Sequence, residues 1–172
     1  MTLDHDTKQK IKSALESFYA ERPSLLDFEL KEECMNFRIA HHLQNLFGND
    51  YYVDCEYNRE YNLSGYTAKK IADGDEFIVD MIVHKRNRDV RVHDDYLCFE
   101  IKKWKEKDKN RLKRDREVLE VLTGSTGKFS YHHGFHIILG NKLKDTKIMM
   151  FERGKKTTED YVLFTDFFKD EE

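Results

Sequence analysis

FIVDMIVH (residues 77–84) is a short apolar run that carries one acid, Asp80. A second apolar run, YLCFEIKK (residues 96–103), carries Glu100 and Lys102 two positions apart. Because side chains at positions i and i+2 of a strand point to the same side, Glu100 and Lys102 should share one face. A short charged connection separates the two runs, so they can pair as antiparallel strands. Such a pair would bring two carboxylates and one ammonium group together.

These three groups suit one kind of chemistry. Two neighbouring carboxylates repel each other unless a cation lies between them, and a divalent metal ion is the simplest such cation. A metal held beside a lysine can bind a phosphate and activate a water molecule. Taken singly, each residue has an ordinary interpretation: Asp80 as a solvent-facing strand residue, and Glu100 with Lys102 as the exposed face of a half-buried strand. Their joint occurrence in two apolar runs favours a site.

The composition of the chain fits a single domain, residues 1–172. Hydrophobic residues make up 39% of the sequence, and no apolar run approaches the roughly 20 residues of a membrane span. The N-terminus lacks the pattern of a signal peptide, and the three cysteines form no Cys-x-x-Cys pair. A cytoplasmic location, no membrane partner and buried free thiols are therefore expected.

Hydrophobic periodicity predicts the element order α-α-β-β-β-α-β-β. The predicted helices cover residues 5–21, 28–47 and 106–122, and the predicted strands cover residues 51–57, 76–83, 96–103, 135–139 and 147–151. Residues 58–74 are predicted to form a loop with an optional short helix at 67–72, and residues 161–168 a strand or short helix. This order indicates an α/β fold, with a mixed central β-sheet flanked by helices and a core at about residues 28–151.

At this point the chain resembles the PD-(D/E)xK nucleases, the restriction-endonuclease-like superfamily. Asp80, followed after 19 intervening residues by Glu100-Ile101-Lys102, matches the signature of that superfamily, whose core has the order α-β-β-β-α-β. The resemblance covers about residues 32–139. It implies a nuclease fold of the same order for this chain.

Three further stretches carry the same resemblance. RIAHHL (residues 38–43), VDCEYNR (residues 53–59) and YHHGF (residues 131–135) look like segments of small bacterial proteins in this superfamily. Val79 departs from the pattern, since many relatives have a proline at that position. That proline shapes the entry to the strand and is not a metal ligand, so the departure affects the resemblance more than the chemistry.

The resemblance implies roles for five residues. Asp80 and Glu100 would bind Mg²⁺ or Mn²⁺, with the Ile101 carbonyl oxygen as a third ligand. Lys102 would orient or deprotonate the attacking water, or would act through its charge alone. Glu32 would complete the acidic cluster, and it also lies on the apolar line of the predicted helix 28–47.

Glu56 is a further candidate for the acidic cluster. It is followed three positions later by Arg59. The alternative interpretation is that Glu56 and Arg59 form an ordinary ion pair at the surface, and the sequence does not decide between the two.

Residues 102–116 form a second candidate surface. They contain nine lysine and arginine residues against three acids, a net charge of +6, in a chain whose net charge is −3. This segregation favours a phosphate-binding face, whereas a solvated helix with internal Glu–Lys pairs is the ordinary alternative. A tryptophan at a strand end more often packs, but Trp104 could stack on a base. The predicted nucleic-acid-binding residues are Lys103, Lys105, Lys107, Lys109, Arg111 and Arg59.

Together these features predict a magnesium-dependent endonuclease, a hydrolase that cleaves phosphodiester bonds of nucleic acid, with DNA as the expected substrate. One alternative is a protein of the same fold that binds nucleic acid or a protein partner without cleavage. Another is a structural domain in which Glu100 and Lys102 are an exposed pair. The apolar tail at 161–168 is the segment that would serve a homodimer. No motif reads a base sequence, so the sequence does not define specificity.

Overall fold

The computed structural model describes residues 3–21, 31–57, 59–62, 65–68, 77–85, 94–124 and 131–169. The helices are α1 (His5–Glu21), α2 (Glu32–Phe47), α3 (Lys109–Thr123) and the short α4 (Phe164–Phe167), with a 3-10 turn at Leu143–Asp145. The strands are β1 (Tyr52–Tyr57), β2 (Arg59–Asn62), β3 (Gly65–Ala68), β4 (Val79–Lys85), β5 (Asp94–Lys103), β6 (His133–Leu139), β7 (Lys147–Glu152), β8 (Lys155–Lys156) and β9 (Val162–Leu163).

Seven strands of the described ranges form one mixed sheet. The order is β1-β4-β5-β6-β7-β8, and β9 pairs with β7. Strand β4 is antiparallel to both β1 and β5, β6 runs parallel to β5, and β7 is antiparallel to β6. Parallel neighbours require a crossover, and α3 supplies the one between β5 and β6. The predicted α/β class with a mixed, helix-flanked sheet is confirmed.

The two faces of the sheet pack against different helices. One core cluster combines α1, α2 and the tail with residues such as Phe99 and Ile101, and the other combines α3 with Ile82 and Cys98. Alternate residues of β5 therefore enter opposite cores, as the period of two requires. Glu100 and Lys102 consequently lie on the side of the sheet that α3 covers.

The structure shortens two of the predicted helices at their N-terminal ends. Lys31 is extended (φ −60°, ψ 147°), so α2 begins at Glu32, and residues 28–30 lie outside the described ranges. Helix α3 begins at Lys109 because the Asp108 carboxylate accepts hydrogen bonds from the N–H groups of Asn110 and Arg111. An aspartate in this capping position fixes where the helix starts, because its carboxylate satisfies the first free N–H groups of the helix.

The predicted loop at 58–74 is wrong where the structure describes it. Strands β2 and β3 form an antiparallel hairpin of their own, with Arg59 opposite Ala68 and Asn62 opposite Gly65. The optional helix at 67–72 is therefore also wrong at Thr67 and Ala68, and its remaining residues lie outside the described ranges. The two segments, REYN and GYTA, lack the regular alternation of apolar and polar residues that predicts a strand.

The apolar tail is used by the fold itself. Within residues 161–168 the chain forms both β9 and α4, and Phe164 and Phe168 are buried in the core that α1 and α2 share. The apolar pattern of the tail is thus explained by packing within one chain. A homodimer stays a prediction.

The structure also bears on the predicted burial of the cysteines and on the predicted lack of a membrane span. The expected burial holds for Cys98, whereas Cys34 is exposed and Cys55 is half-buried; all three are free thiols. Cys34 lies in the first turn of α2, away from the buried line of that helix. Among the described residues, no helix is long and apolar enough to cross a membrane.

Gly140, directly after β6, offers a test of the packing at the strand end. A Cβ atom at this position would lie 2.6 Å from Cβ and 2.7 Å from the carbonyl oxygen of Asp145. Because those atoms belong to a hydrogen-bonded turn, we expect Gly140→Ala to lower the free energy of unfolding by roughly 1–3 kcal/mol. Urea denaturation measures this, with the exposed Asn141→Ala as control. Equal stability of the two variants would contradict the close approach.

Candidate active site

The candidate residues of β4 and β5 lie side by side. Met81 pairs with Phe99, so the next position along each strand places Asp80 opposite Glu100. In the parallel partner strand, Glu100 pairs with His136. Because side chains in register across a sheet share one face, these three polar groups form a row that faces α3.

Lys102 is the centre of this site. Its Nζ atom lies 3.0 Å from Oδ2 of Asp80 and 3.4 Å from Oε2 of Glu100. The backbone N–H of Ile101 donates a 2.7 Å hydrogen bond to the same oxygen of Asp80. The side chain of Lys102 is 2% exposed and that of Asp80 is 21% exposed, so the site opens to solvent on the Asp80 side. The predicted meeting of Asp80, Glu100 and Lys102 therefore occurs.

The charges of the site depend on one another. Burial raises the pKa of Glu100 well above its ordinary value, the charge of Asp80 raises it further, and Lys102 lowers it in part. Burial alone would lower the pKa of Lys102, but the charges of Asp80, Glu100 and Asp115 raise it above its ordinary value. Lys102 is thus protonated at neutral pH, and Glu100 holds a proton more firmly than an exposed glutamate.

The structure adds a third carboxylate that sequence reasoning missed. Oδ2 of Asp115, on α3, lies 3.5 Å from Nζ of Lys102 and 3.7 Å from Nε2 of His136. The other ring nitrogen of His136 forms a 2.6 Å hydrogen bond with the hydroxyl of Tyr161, which also accepts one from Arg116. Oδ2 of Asp115 and Nε2 of His136 are buried and form no hydrogen bond among the described residues. The site thus continues inward from Lys102.

A sequence signal for Asp115 was present. It precedes Val118, Leu119 and Leu122 by three, four and seven positions, so it lies on the buried face of α3. An acid on an apolar helix face indicates a candidate site residue, as Asp80 does in its apolar strand. In the sequence, Asp115 is otherwise one of the three acids within the basic segment 102–116. His136 shows the same kind of signal, since it is a polar residue between Phe135 and Ile137 in an apolar strand.

Glu32, at the N-terminal end of α2, is paired with an arginine. Its Oε2 atom is 2.7 Å from Arg111 of α3, and Arg111 also contacts Glu106 at 3.0 Å. In the part of the chain that the structure describes, no three His, Cys, Asp or Glu side chains are placed to hold a metal ion together. Glu32 therefore links α2 to α3 through an ion pair, and its place in the acidic cluster stays a prediction. The predicted phosphate-binding role of Arg111 competes with these two pairs.

Glu56 occupies the position beside Asp80 in the sheet. The pairs Cys55–Met81 and Tyr57–Val79 flank it, so Glu56 lies opposite Asp80, and its side chain is exposed. Its backbone is left-handed (φ 51°), which is uncommon for a residue with a side chain. The side chain of Arg59 lies outside the described residues, so the alternative of an ion pair between them stays open.

The thiol of Cys55 lies close enough to Asp80 and Glu56 for both charges to affect its pKa. Burial raises the pKa of Cys55 to about 11, and the charges of Asp54, Asp80 and Glu56 contribute to the same shift. Asp80 and Glu56 thus both act on one thiol. The row of polar groups across the sheet is extended to β1.

His84 lies four residues from Asp80, at the opposite end of β4, and is buried. Its Nε2 atom lies 2.8 Å from Oδ2 of Asp54. It is therefore no part of the site.

Comparisons of the chain with protein-family models, with curated proteins and with solved structures found no match. A function for this chain is consequently argued from the arrangement of its own residues.

The raised pKa of Glu100 predicts a pH-dependent stability. The folded state keeps the Glu100 proton above the ordinary glutamate value of 4.5, whereas the unfolded chain loses it there. Stability should therefore fall as pH rises from 4.5 toward the raised pKa of Glu100. Glu100→Gln cannot ionise, so in metal-free buffer its melting temperature should exceed that of the wild type by several degrees at neutral pH and match it in acid.

Thermal melts across this pH range, in the presence of EDTA, provide the measurement. Glu16→Gln, an exposed glutamate on α1, is the matched control and should leave the pH profile unchanged. A Glu100→Gln protein that melts below the wild type at neutral pH would show that the ionised carboxylate stabilises the fold.

The left-handed backbone at Glu56 predicts a second stability difference. Glycine adopts this conformation without the steric cost of a Cβ atom, so Glu56→Gly should be more stable than Glu56→Ala by roughly 1 kcal/mol. Arg153 has the same conformation (φ 53°) in the hairpin between β7 and β8, and it provides the matched pair Arg153→Gly and Arg153→Ala. Urea denaturation of the four variants measures both differences. A difference at Arg153 without one at Glu56 would contradict the strained backbone of β1.

Proposed function

We propose that this chain is a metal-dependent nuclease of the PD-(D/E)xK superfamily, and that it hydrolyses phosphodiester bonds of nucleic acid, with DNA as the expected substrate. The observation that carries the proposal is the placement of Lys102 within 3.0 Å of Asp80 and 3.4 Å of Glu100 at the end of two neighbouring strands. Two acids and a lysine at one point are the groups that metal-assisted phosphoryl transfer requires.

The path of the chain supports this proposal. Helix α2, the antiparallel strands β1, β4 and β5, the crossover helix α3 and the parallel strand β6 follow one another in the order α-β-β-β-α-β. The hairpin of β2 and β3 is then an insertion between the first two strands of that core. Because one fold serves many functions, the site carries more weight than this order.

The donor groups fit a hard divalent cation such as Mg²⁺ or Mn²⁺, which prefers oxygen ligands. Glu100 is buried beside Asp80, where a second charge is unfavourable unless a proton or a cation accompanies it. The N–H of Ile101 points to Asp80, and the carbonyl of a strand residue points to the same neighbouring strand as its N–H. Asp80, Glu100 and the Ile101 carbonyl would hold the ion. When bound, it would polarise the phosphate and lower the pKa of a coordinated water.

Lys102 acts through its charge in this proposal. Its raised pKa keeps the ammonium group protonated, so it donates hydrogen bonds and offsets the negative charge that develops on the phosphate as the water oxygen attacks. We therefore favour the electrostatic role over proton transfer from the water.

Asp115 is a positioning residue that acts through Lys102. If the oxygens of Asp80 and Glu100 engage a cation, the nearest remaining carboxylate is Asp115, 3.5 Å from Nζ of Lys102. His136 and Tyr161 support Asp115 from the interior side. Asp115 would therefore keep the ammonium group of Lys102 in place beside the bound cation.

A cleavage assay tests the proposal directly. The protein is incubated with plasmid DNA, single-stranded DNA and RNA, each with Mg²⁺ or Mn²⁺. Cleavage of at least one substrate is expected, and Asp80→Ala and Lys102→Ala should each reduce its rate by about 100-fold or more. Lys113→Ala is the matched control, because Lys113 is a 70% exposed lysine of α3 and lies outside the site.

Two results would contradict the nuclease. Binding of these nucleic acids without cleavage in either metal would favour the alternative of a nuclease-like fold that only binds. Calorimetric titration with Mn²⁺ separates the structural alternative, since a site of Asp80 and Glu100 should bind the ion and Glu100→Ala should lose it. No heat of binding in the wild type would remove the metal from the proposal.

A further inference from the structure

Trp104 lies immediately beyond the candidate active site. It follows the last residue of β5 and is two positions from Lys102, roughly 7 Å along the chain. A backbone hydrogen bond of 3.0 Å from the N–H of Glu106 to the carbonyl of Lys103 closes the turn that carries it. The tryptophan is therefore held at a defined place at the end of the sheet.

The indole ring of Trp104 is not used by the core. Its side chain is 46% exposed, contrary to the packing that its position at a strand end predicts. Ile78, which directly precedes the neighbouring strand β4 and lies two positions before Asp80, is also exposed, at 56%. Single exposed apolar residues are common at protein surfaces, so the surroundings of the ring decide its meaning.

A lysine is paired with the ring. Nζ of Lys105 lies 5.1 Å from the centroid of the Trp104 ring, a cation–π distance. A flat aromatic surface beside a positive charge matches the two parts of a nucleotide, since the base stacks on the ring and the phosphate binds the ammonium group. This arrangement suits a nucleotide more closely than an apolar ligand.

The acids of this segment are occupied by the fold, whereas its lysines are not. Glu106 accepts hydrogen bonds from Arg111 and from the N–H of Asp108, and Asp108 caps α3. Within the described ranges, no carboxylate lies at ion-pair distance from the lysines that alternate with these acids, namely Lys103, Lys105, Lys107 and Lys109. The positive charge of the segment thus stays available to phosphates.

We propose that Trp104 and the lysines around it bind single-stranded nucleic acid, with an unpaired base stacked on the indole ring and its phosphates on the lysines. An unpaired base offers its face to an aromatic side chain, whereas the bases of an intact duplex are stacked on one another and cannot. If the chain is the proposed nuclease, single-stranded nucleic acid would be its ligand. The binding itself does not require cleavage.

The experiment uses the fact that Trp104 is the only tryptophan of the chain. In EDTA, the wild type is titrated with an oligothymidylate of about 12 nucleotides, an oligouridylate of the same length, and a blunt duplex. Stacking should quench the tryptophan emission to saturation with a single strand and much less with the duplex. An oligodeoxyuridylate of the same length, which differs from the oligouridylate only in its sugar, identifies the preferred sugar.

Variants separate stacking from charge. By anisotropy of a labelled oligothymidylate, Trp104→Ala should lose about tenfold or more in affinity, whereas Trp104→Phe keeps a ring and should retain most of it. Lys105→Ala should weaken binding and reduce the salt dependence by about 0.7 in the slope of log affinity against log salt. Tyr52→Ala is the matched control, because Tyr52 is 43% exposed and starts β1 at the opposite end of the sheet.

Three results would overturn the proposal: no quenching by either single strand, equal affinity of Trp104→Ala and the wild type, or a duplex that binds as tightly as the single strands. Melting curves of each variant exclude unfolding as the cause. Because no metal is present, the outcome is independent of cleavage. If the protein binds single strands at Trp104 but cleaves no substrate, this inference holds and the proposed nuclease activity is wrong. If it cleaves nucleic acid but Trp104→Ala binds single strands as well as the wild type, the nuclease proposal holds and this inference is wrong.

Discussion

The buried ammonium group of Lys102 is the constraint on which the rest of the site depends. A lysine that is 2% exposed must be paired, and carboxylates from three different elements surround it: Asp80 from β4, Glu100 from β5 and Asp115 from α3. Each acid in turn needs the lysine, because neighbouring negative charges repel one another. The sheet end and the crossover helix are therefore coupled through one charge.

This coupling explains why α3 has its unusual composition. Its inner face must be apolar to cover the sheet, and Val118, Leu119 and Leu122 are buried there. The same face brings Asp115 to Lys102 at its N-terminal half, while Arg111 reaches Glu32 of α2. The outer face exposes Lys109 and Lys113. One helix thus closes the core, completes the charge balance of the site and carries part of the basic surface.

The parts of the fold that were predictable are those governed by burial. The apolar periods placed α1, β1, β6 and β7 within two residues of their observed bounds, because those elements pack a continuous face. The hairpin of β2 and β3 was missed because its two short segments show no regular apolar period. Glu32 was selected by its helix face, yet its partner is Arg111, and a helix face does not specify what lies beyond the helix end.

By itself, the sequence determined that Asp80, Glu100 and Lys102 belong together, because a charge in an apolar strand must find a partner and strand pairing brings those three into register. Only the tertiary structure decided the rest: that Asp115 and His136 extend the cluster inward, that Glu32 pairs with Arg111, and that Trp104 stays exposed beside the site. The physical reason is the difference in range. Alternation and helical period act over a few residues, whereas the partners of a charge or an aromatic ring are chosen by how distant elements pack.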